Sequence, residues 1–435
     1  MKVLIISHNP ITTYQNMGKT MLSLFASFDK AELCQLYIYP TLPNVDRCNS
    51  YFRITDKDII RSFPLRDVKG IEISSEQIHI DHEMFECPTD QKIYKTKHNH
   101  NPILMLMRDI AWKVSRVWTA SLRKWIEKEN PDIIFVAPGR GGFIYDLAMK
   151  IHKAYNIPII SYICDDYYFT KSHNPMQGIY NYHLRSKIKK LISNSERVIG
   201  ICDELSKRYF LEFQTPTQTL MTGASFTDPV KKVDYESEQS TNYEITYFGN
   251  VRCNRYVSLK EIGQAIDSIN KENHTCYKLR IFSAETDISI LNEFNKVKSI
   301  DFCGYISGEK YENEFQKSKI LCHVEAFDRE AIEKVRYSIS TKIADSLASG
   351  VPLFAYGPSD VASISYLLNN QCAIVCTNQD ELKRQLQYLL QGGFDLDSIT
   401  KEALKVSKSN HDAILNSTRL YDGMREVLSH ENNVL

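Results

Sequence analysis

Ser338-Ile-Ser-Thr-Lys-Ile-Ala-Asp-Ser-Leu-Ala-Ser-Gly-Val-Pro352 is the stretch whose reading decides the rest of the chain. It places two hydroxyls and Lys342 at the start of a helix that runs from Thr341 to Ser349, and Gly350 and Pro352 then stop the helix. The apolar run Ile320 to Ala326 lies before it, beyond the irregular loop DREAIEKVRY, and a second run, Val351 to Tyr356, follows it. Strand, helix, strand in that order is the unit from which parallel sheets are built.

The same alternation extends outward in both directions. Toward the N-terminus of this half, strands are expected at Glu244 to Phe248, Lys278 to Phe282 and Ser299 to Cys303, with helices from Leu259, near Ile288 to Phe294, and over Glu309 to Ser318. Beyond it come a helix from Val361, a strand at Ala373 to Cys376 and a helix from Asp380. The first half repeats the pattern with strands at Lys2 to Ser7, Gln35 to Tyr39, Asp132 to Ala137, Ile157 to Cys164 and Arg197 to Ile201. Between the halves the sequence turns polar after Leu220 and loses its periodicity. The expectation is an α/β protein with two Rossmann-like, doubly wound domains facing a cleft: residues 1–222, a linker over 223–242, residues 243–408, and a last helix, 409–435, that crosses back to the first domain.

Length and composition agree with this division. At 435 residues the chain exceeds one ordinary core, and 43% hydrophobic with 24% charged residues is the balance of a folded globular protein. Lys plus Arg and Asp plus Glu both total 53, so there is no global field to draw nucleic acid. The eleven cysteines form no CxxC pair and are read as reduced core thiols. The opening MKVLIIS is too short for a signal-peptide core, and no apolar stretch reaches the roughly 18 residues needed to span a bilayer. A cytoplasmic location follows, extended below to the inner face of the cell membrane.

Ser340, Thr341 and Lys342 have a chemical reading as well as a structural one. Unpaired N–H groups and partial positive charge at a helix start, joined by hydroxyls and a lysine, make a seat for a diphosphate. Asp345, one turn on, is then placed to accept hydrogen bonds from ribose hydroxyls. The plainer reading, an N-cap with a solvated Lys342 and Asp345, fits the spacing equally well.

Resemblance separates the two. ADSLASGVP looks like the end of the donor-site helix of retaining glycosyltransferases with the GT-B fold, whose pattern is a Glu, seven residues, and a second Glu in a helix ending A-x-G-x-P. Asp345 stands at the second Glu and Tyr337 at the first. A Ser-Thr-Lys cluster before the helix resembles the surface-polysaccharide members of that family, and Glu325, Asp328 or Glu330 is then left to contact the sugar. ITYFGNVRCNRY resembles the family's first C-terminal strand and loop, with Asn250 at its Arg, Arg255 at its Lys, and Arg252 additional. Either arginine suits the phosphate oxygens of a departing diphosphate; the alternative is a solvated loop. DFCGYIS resembles the strand and glycine beyond which backbone groups hold the base, which makes Gly304, Tyr305 and Ile306 donor-site residues.

The N-terminal half carries weaker signals. Gly18-Lys19-Thr20 after the first strand invites comparison with a P-loop, but Thr13 occupies the position of that motif's first Gly. A Walker-B-like ISYICD keeps ATP binding open. The same segment resembles the glycine loop of GT-B enzymes, which makes Gly18 a donor-site residue. Asp165 and Asp166, at the end of IPIISYI and followed by two tyrosines, suit sugar recognition and stand where many relatives carry a His; a capped turn is the alternative. Pro138-Gly-Arg-Gly-Gly142 forms a tight turn, with contact to an acceptor phosphate as a secondary role. His79, Asp81 and His82, like His98 and His100, lack a third convergent metal ligand and are read as solvated loop.

From Leu104 to Lys128, Leu104, Ala111, Trp118 and Trp125 recur every seven residues amid Arg108, Lys113, Arg116, Arg123 and Lys124. Both an interfacial helix on an anionic bilayer and plain core packing produce such a stripe.

The resemblance implies transfer of a hexose-type sugar, with retention, from a nucleoside diphosphate sugar to a glycan or lipid-linked acceptor. Asp165, Asp166, Arg255 and Lys342 carry the catalytic assignments. The nucleotide-sugar is a substrate, and neither cofactor nor metal is implied. A P-loop-like nucleotide hydrolase and a catalytically silent scaffold of the same fold stay as alternatives.

Overall fold

A computed structural model of the chain describes residues 1–13, 16–63, 66–74, 77–78, 101–172, 174–225 and 244–432. His79, Asp81, His82, His98 and His100 and the stretch 226–242 lie outside the described residues. Contacts divide the chain into two compact units: Met1–Thr222 with Ala413–Leu435, and Gly223–Asp412.

Among the described residues the first unit holds eight strands in the order β4-β3-β2-β1-β5-β6-β7-β8: β1 Val3–Ser7, β2 Leu33–Tyr37, β3 Ser50–Arg53, β4 Ile71–Ile73, β5 Ile133–Ala137, β6 Ile159–Ile163, β7 Arg197–Gly200 and β8 Thr217–Thr219. All neighbours pair in parallel except β3 and β4, which run antiparallel at the edge. At the centre Val3 pairs with Leu33 on one side and Ile133 on the other, and every side chain of β1 is buried. Helices cover both faces of such a sheet, so its central strands read as continuous apolar runs rather than alternating ones. That is why Val3–Ser7 and Ile133–Ala137 are legible, whereas β3, β4 and β8, short strands near the edges, are not.

The second unit is a six-stranded, wholly parallel sheet in the order β11-β10-β9-β12-β13-β14: β9 Glu244–Phe248, β10 Lys278–Phe282, β11 Ile300–Gly304, β12 Ile320–Val324, β13 Leu353–Tyr356 and β14 Ile374–Cys376. The helix Arg255–Asn273 lays Leu259, Ile262, Ile266 and Ile269, spaced by three and four residues, onto Ile245, Leu279 and Ile320 of the central strands. Burying each such side chain is worth roughly 1.5–3 kcal/mol, which fixes that helix against the sheet. The helix Thr341–Ala348 ends at Gly350, whose φ of +76° is a left-handed turn that a side chain resists.

The final helix, Ala413–Asn432, packs on the first unit. Asn416 donates to the Met221 carbonyl at 3.0 Å, the Ser27 and Ser417 hydroxyls are 2.8 Å apart, and Tyr421 meets Phe28 edge-on. No helix among the described residues is long and apolar enough to cross a membrane.

Candidate functional site

Strand order in the second unit reverses at β9, with β10 and β11 on one side and β12 to β14 on the other. Loops leaving the carboxyl ends of β9 and β12 therefore diverge, and in open parallel sheets ligands bind in the gap that this leaves. Two side-chain clusters border the end of β9.

The first begins in the loop Gly249–Asn254. Cys253 and Asn254 are consecutive left-handed residues, with φ of +52° and +58°. Such positions cost on the order of 1–3 kcal/mol each and persist only where the surroundings hold them. Here Asn254 donates to the Asp328 carboxylate at 3.0 Å, and Tyr247 donates to the Asn250 carbonyl at 2.8 Å. The loop delivers Arg255 to Glu325, which follows β12: Nε lies 2.9 Å from Oε2 and Nη2 lies 2.8 Å from Oε1. Glu325 is only 2% exposed, and Ser363 and His323 stand 3.4 and 3.5 Å from its Oε1. Burial pushes this carboxyl up, but the Arg255 guanidinium and His323 together outweigh it and hold it down to about 2. Arg255 thus turns two N–H donors inward. Arg252, by contrast, is exposed, with Nε 3.7 Å from Glu285.

The second cluster is organised by Tyr311. Its ring meets Phe248, the last residue of β9, edge-on at 5.3 Å, and its hydroxyl donates to Asp345 Oδ2 at 3.4 Å. Lys342 Nζ lies 4.5 Å over the same ring and 3.4 Å from the same hydroxyl. Burial, then Asp345, push the phenol above its ordinary range, so it stays a donor. Asp345 is buried, and its second oxygen accepts the Ser225 amide at 2.8 Å. Ser340 caps the helix, accepting the Lys342 amide at 3.3 Å, and Thr341 begins it half-buried. Of the residues singled out from the sequence, Lys342, Ser340, Thr341 and Asp345 are therefore gathered around one helix start. Gly304 (φ +75°) closes the edge strand β11, followed by exposed Tyr305 and half-buried Ile306. Among the other candidates for a sugar contact, Asp328 caps the helix Arg329–Val335 and Glu330 pairs with Lys334. The N-terminus of the helix Thr341–Ala348 and Lys342 are chemically suited to phosphate oxygens, as is the exposed guanidinium of Arg252 in the loop after β9.

In the first unit the order reverses between β1 and β5. Gly18 sits in the helix Asn16–Leu24 against the turn that leaves β1; a β-carbon there would lie 2.7 Å from the Thr12 amide nitrogen, so the glycine allows close approach of the turn. The Thr20 hydroxyl faces that of Thr222 at 3.1 Å. After β6, Asp165 is exposed and accepts from the Tyr167 hydroxyl at 3.1 Å, while Asp166 Oδ1 accepts the amides of Tyr168 and Phe169, both at 3.0 Å. Burial raises the Asp166 carboxyl despite those donors.

Beside the turn Pro138–Gly142 lies a pair that sequence reading missed. Asp109 is buried, accepts the Gly142 amide at 3.2 Å, and has Oδ2 3.4 Å from His183 Nε2. Burial pushes its carboxyl up to about 6. A β-carbon at Gly142 would lie 2.5 Å from Asp109 Oδ2, so the glycine makes the approach feasible. The lone acid in PILMLMRDIAWKV was the only local signal, and its partner lies 74 positions away in sequence.

Of the two readings of the stripe from Leu104 to Lys128, Trp112 and Trp125 follow core packing. The stripe falls on two helices, Pro102–Val114 and Ala120–Glu129, broken where Thr119 caps the second. Trp112 and Trp125 are buried, their indoles donating to Asp56 and Ser50 at 2.9 Å, so a continuous interfacial tryptophan face does not form.

No family model and no curated protein matches the chain. Solved structures do. A sucrose-phosphate synthase from Thermosynechococcus elongatus superposes with a TM-score of 0.63 at 10% identity, over 99% of this chain and all of that one. HepE from Anabaena, solved in complex with UDP, gives 0.58 at 9% identity over 98% of this chain and all of its own. WaaG, a glycosyltransferase involved in lipopolysaccharide biosynthesis, gives 0.55 at 8% identity over 96% and 98%. At identities this low the likeness speaks for architecture alone, and the architecture, two parallel-sheet α/β units in one chain, is the GT-B fold.

Proposed function

We propose that this chain is a glycosyltransferase that takes a sugar from a nucleoside diphosphate sugar and passes it, with retention, to a glycan or lipid-linked acceptor in cell-surface polysaccharide synthesis. The observation that carries the reading is the start of the helix Thr341–Ala348, where the Ser340 cap, Thr341 and Lys342 meet beside the carboxyl end of β9. The diphosphate docks there. Negative charge builds on it as the glycosidic bond to the donor breaks, and the first-turn amides, Lys342 and Arg252 offset that charge without a metal ion. Arg255 acts from behind, holding the loop through Glu325 while its remaining N–H groups add positive potential. Asp345 and Tyr311 orient Lys342, and the backbone of Gly304 to Ile306 takes the base. Asp165 and Asp166 belong to the acceptor side, and the enzyme works in the cytoplasm at the inner face of the membrane. Support comes from the architecture shared with HepE, which was solved with UDP, and with WaaG.

Calorimetry with nucleoside diphosphates tests the reading, together with a screen of nucleotide-sugars for slow donor hydrolysis. Binding is expected, lost in Lys342→Ala and weakened about tenfold in Arg252→Ala, equivalent to one charge-assisted contact. No binding of any nucleoside diphosphate, or binding lost in Lys19→Ala but kept in Lys342→Ala, overturns it.

A further inference from the structure

The helix Pro102–Val114 in the first unit buries Asp109 and Trp112 on one side and turns Ile103, Leu104, Met107, Ile110 and Val114 outward. Positions 103, 107, 110 and 114 follow the helical repeat, so these side chains form one stripe. The helix packs against Pro175–Ile192, where Asp109 meets His183. One turn before His183, Ile179 is exposed, flanked by exposed Met176 and Tyr182. Exposure across the eight side chains runs from 40% at Val114 to 77% at Tyr182. Two packed helices thus each expose large apolar side chains, eight between them, which a protein that is wholly surrounded by water seldom does.

Charge says what covers it. The segment 175–192 contains Arg185, Lys187, Lys189 and Lys190 and no acidic residue, in a chain whose formal net charge is zero. On Pro102–Val114 the basic residues are Arg108 and Lys113, with Arg116 just beyond, and the one acid, Asp109, is buried. Lys113, Arg116, Lys189 and Lys190 are exposed. A second copy docked by a two-fold axis would bring together two copies of a basic face whose one acid, Asp109, is buried, which like-charge repulsion opposes. Aliphatic and methionine side chains rimmed by lysine and arginine, with a tyrosine at the edge, match the boundary between acyl chains and anionic headgroups.

We propose that this two-helix face docks on an anionic lipid bilayer. The inference rests on the membrane location proposed above, uses a surface apart from the donor chemistry at Lys342, and keeps Leu104, Lys113 and Arg116 of the sequence pattern while leaving out its tryptophans. Insertion of the stripe supplies the apolar part of the affinity, and the lysines and arginines supply the preference for negative headgroups.

Co-sedimentation of the full chain with vesicles of phosphatidylcholine, alone or mixed with phosphatidylglycerol, tests the proposal. Binding is expected to the mixed vesicles and to weaken as salt is raised. Leu104→Glu/Ile179→Glu is expected to weaken it by on the order of tenfold or more. Lys189→Glu/Lys190→Glu is expected to remove the preference for the anionic vesicles. Nucleoside diphosphate binding, measured on the same samples, is expected unchanged in both variants, which shows them folded and separates this proposal from the donor-site reading. No binding to anionic vesicles, or equal binding by Leu104→Glu/Ile179→Glu, overturns the proposal. So does a wild-type dimer in sedimentation that this variant dissolves while vesicles stay unbound, because the face is then a contact between copies.

Discussion

Arg255 and Glu325 close a two-pronged ion pair across the carboxyl ends of β9 and β12, at 2.9 and 2.8 Å, inside the second unit. The pair joins the loop that carries Arg252 to the strand beside it. Burial raises the cost of either charge alone, so each ion depends on the other.

Glu325→Gln strands the guanidinium and is expected to destabilise the protein by about 3–5 kcal/mol, read as a drop in the denaturation midpoint. Replacing both residues by apolar ones of similar size is expected to cost less than the single change. The sign of the pH dependence follows from the depressed carboxyl. Its contribution is full above the ordinary value of 4.5 and is lost as pH falls toward about 2. A Glu325→Gln variant whose midpoint matches the wild type would show that the pair does not hold the loop.

Tyr311 links Phe248 to Lys342 and Asp345 through one ring and one hydroxyl. Tyr311→Phe keeps the ring under the ammonium and deletes the hydroxyl. Stability is expected to fall by about 1 kcal/mol, the worth of one buried hydrogen bond. Nucleoside diphosphate affinity is expected to fall by a few-fold, less than in Lys342→Ala. Calorimetry separates the effects, since a purely structural tyrosine moves the melting point and leaves affinity unchanged.

Asp109 works in the opposite sense to Glu325. Its folded carboxyl sits at about 6, above the ordinary 3.8, because burial outweighs the favourable charges of Arg108 and Lys187 and the Gly142 amide. Stability from the protonated acid is full below 3.8 and is lost as pH rises through about 6. Asp109→Asn keeps an acceptor for the amide without the charge. Between those pH values it is expected to remove a decline of about 3 kcal/mol from the wild-type profile, and to be at least as stable near neutrality. Melts at a series of pH values check this; an unchanged slope rules out Asp109 as the titrating group.

What the sequence by itself determined was the class of fold. Continuous apolar runs such as Val3–Ser7 and Ile320–Val324 belong to central parallel strands because both their faces are covered, and that requirement is local enough to read. The helix start at Ser340 was legible for the same reason, since a cap, a turn of amides and a following Gly350 are neighbours in the chain. Tertiary structure alone decided which of these groups face each other. Glu325 lies 70 positions from Arg255, and Asp345 lies 34 from Tyr311 and 120 from Ser225. Spacing could nominate Arg255 and Asp345 as ligands, but only packing could show that burial turns both toward partners inside the unit. It likewise buried Trp112 and Trp125 and left Leu104 and Ile179 outside, because the face a helix shows to water depends on what packs behind it.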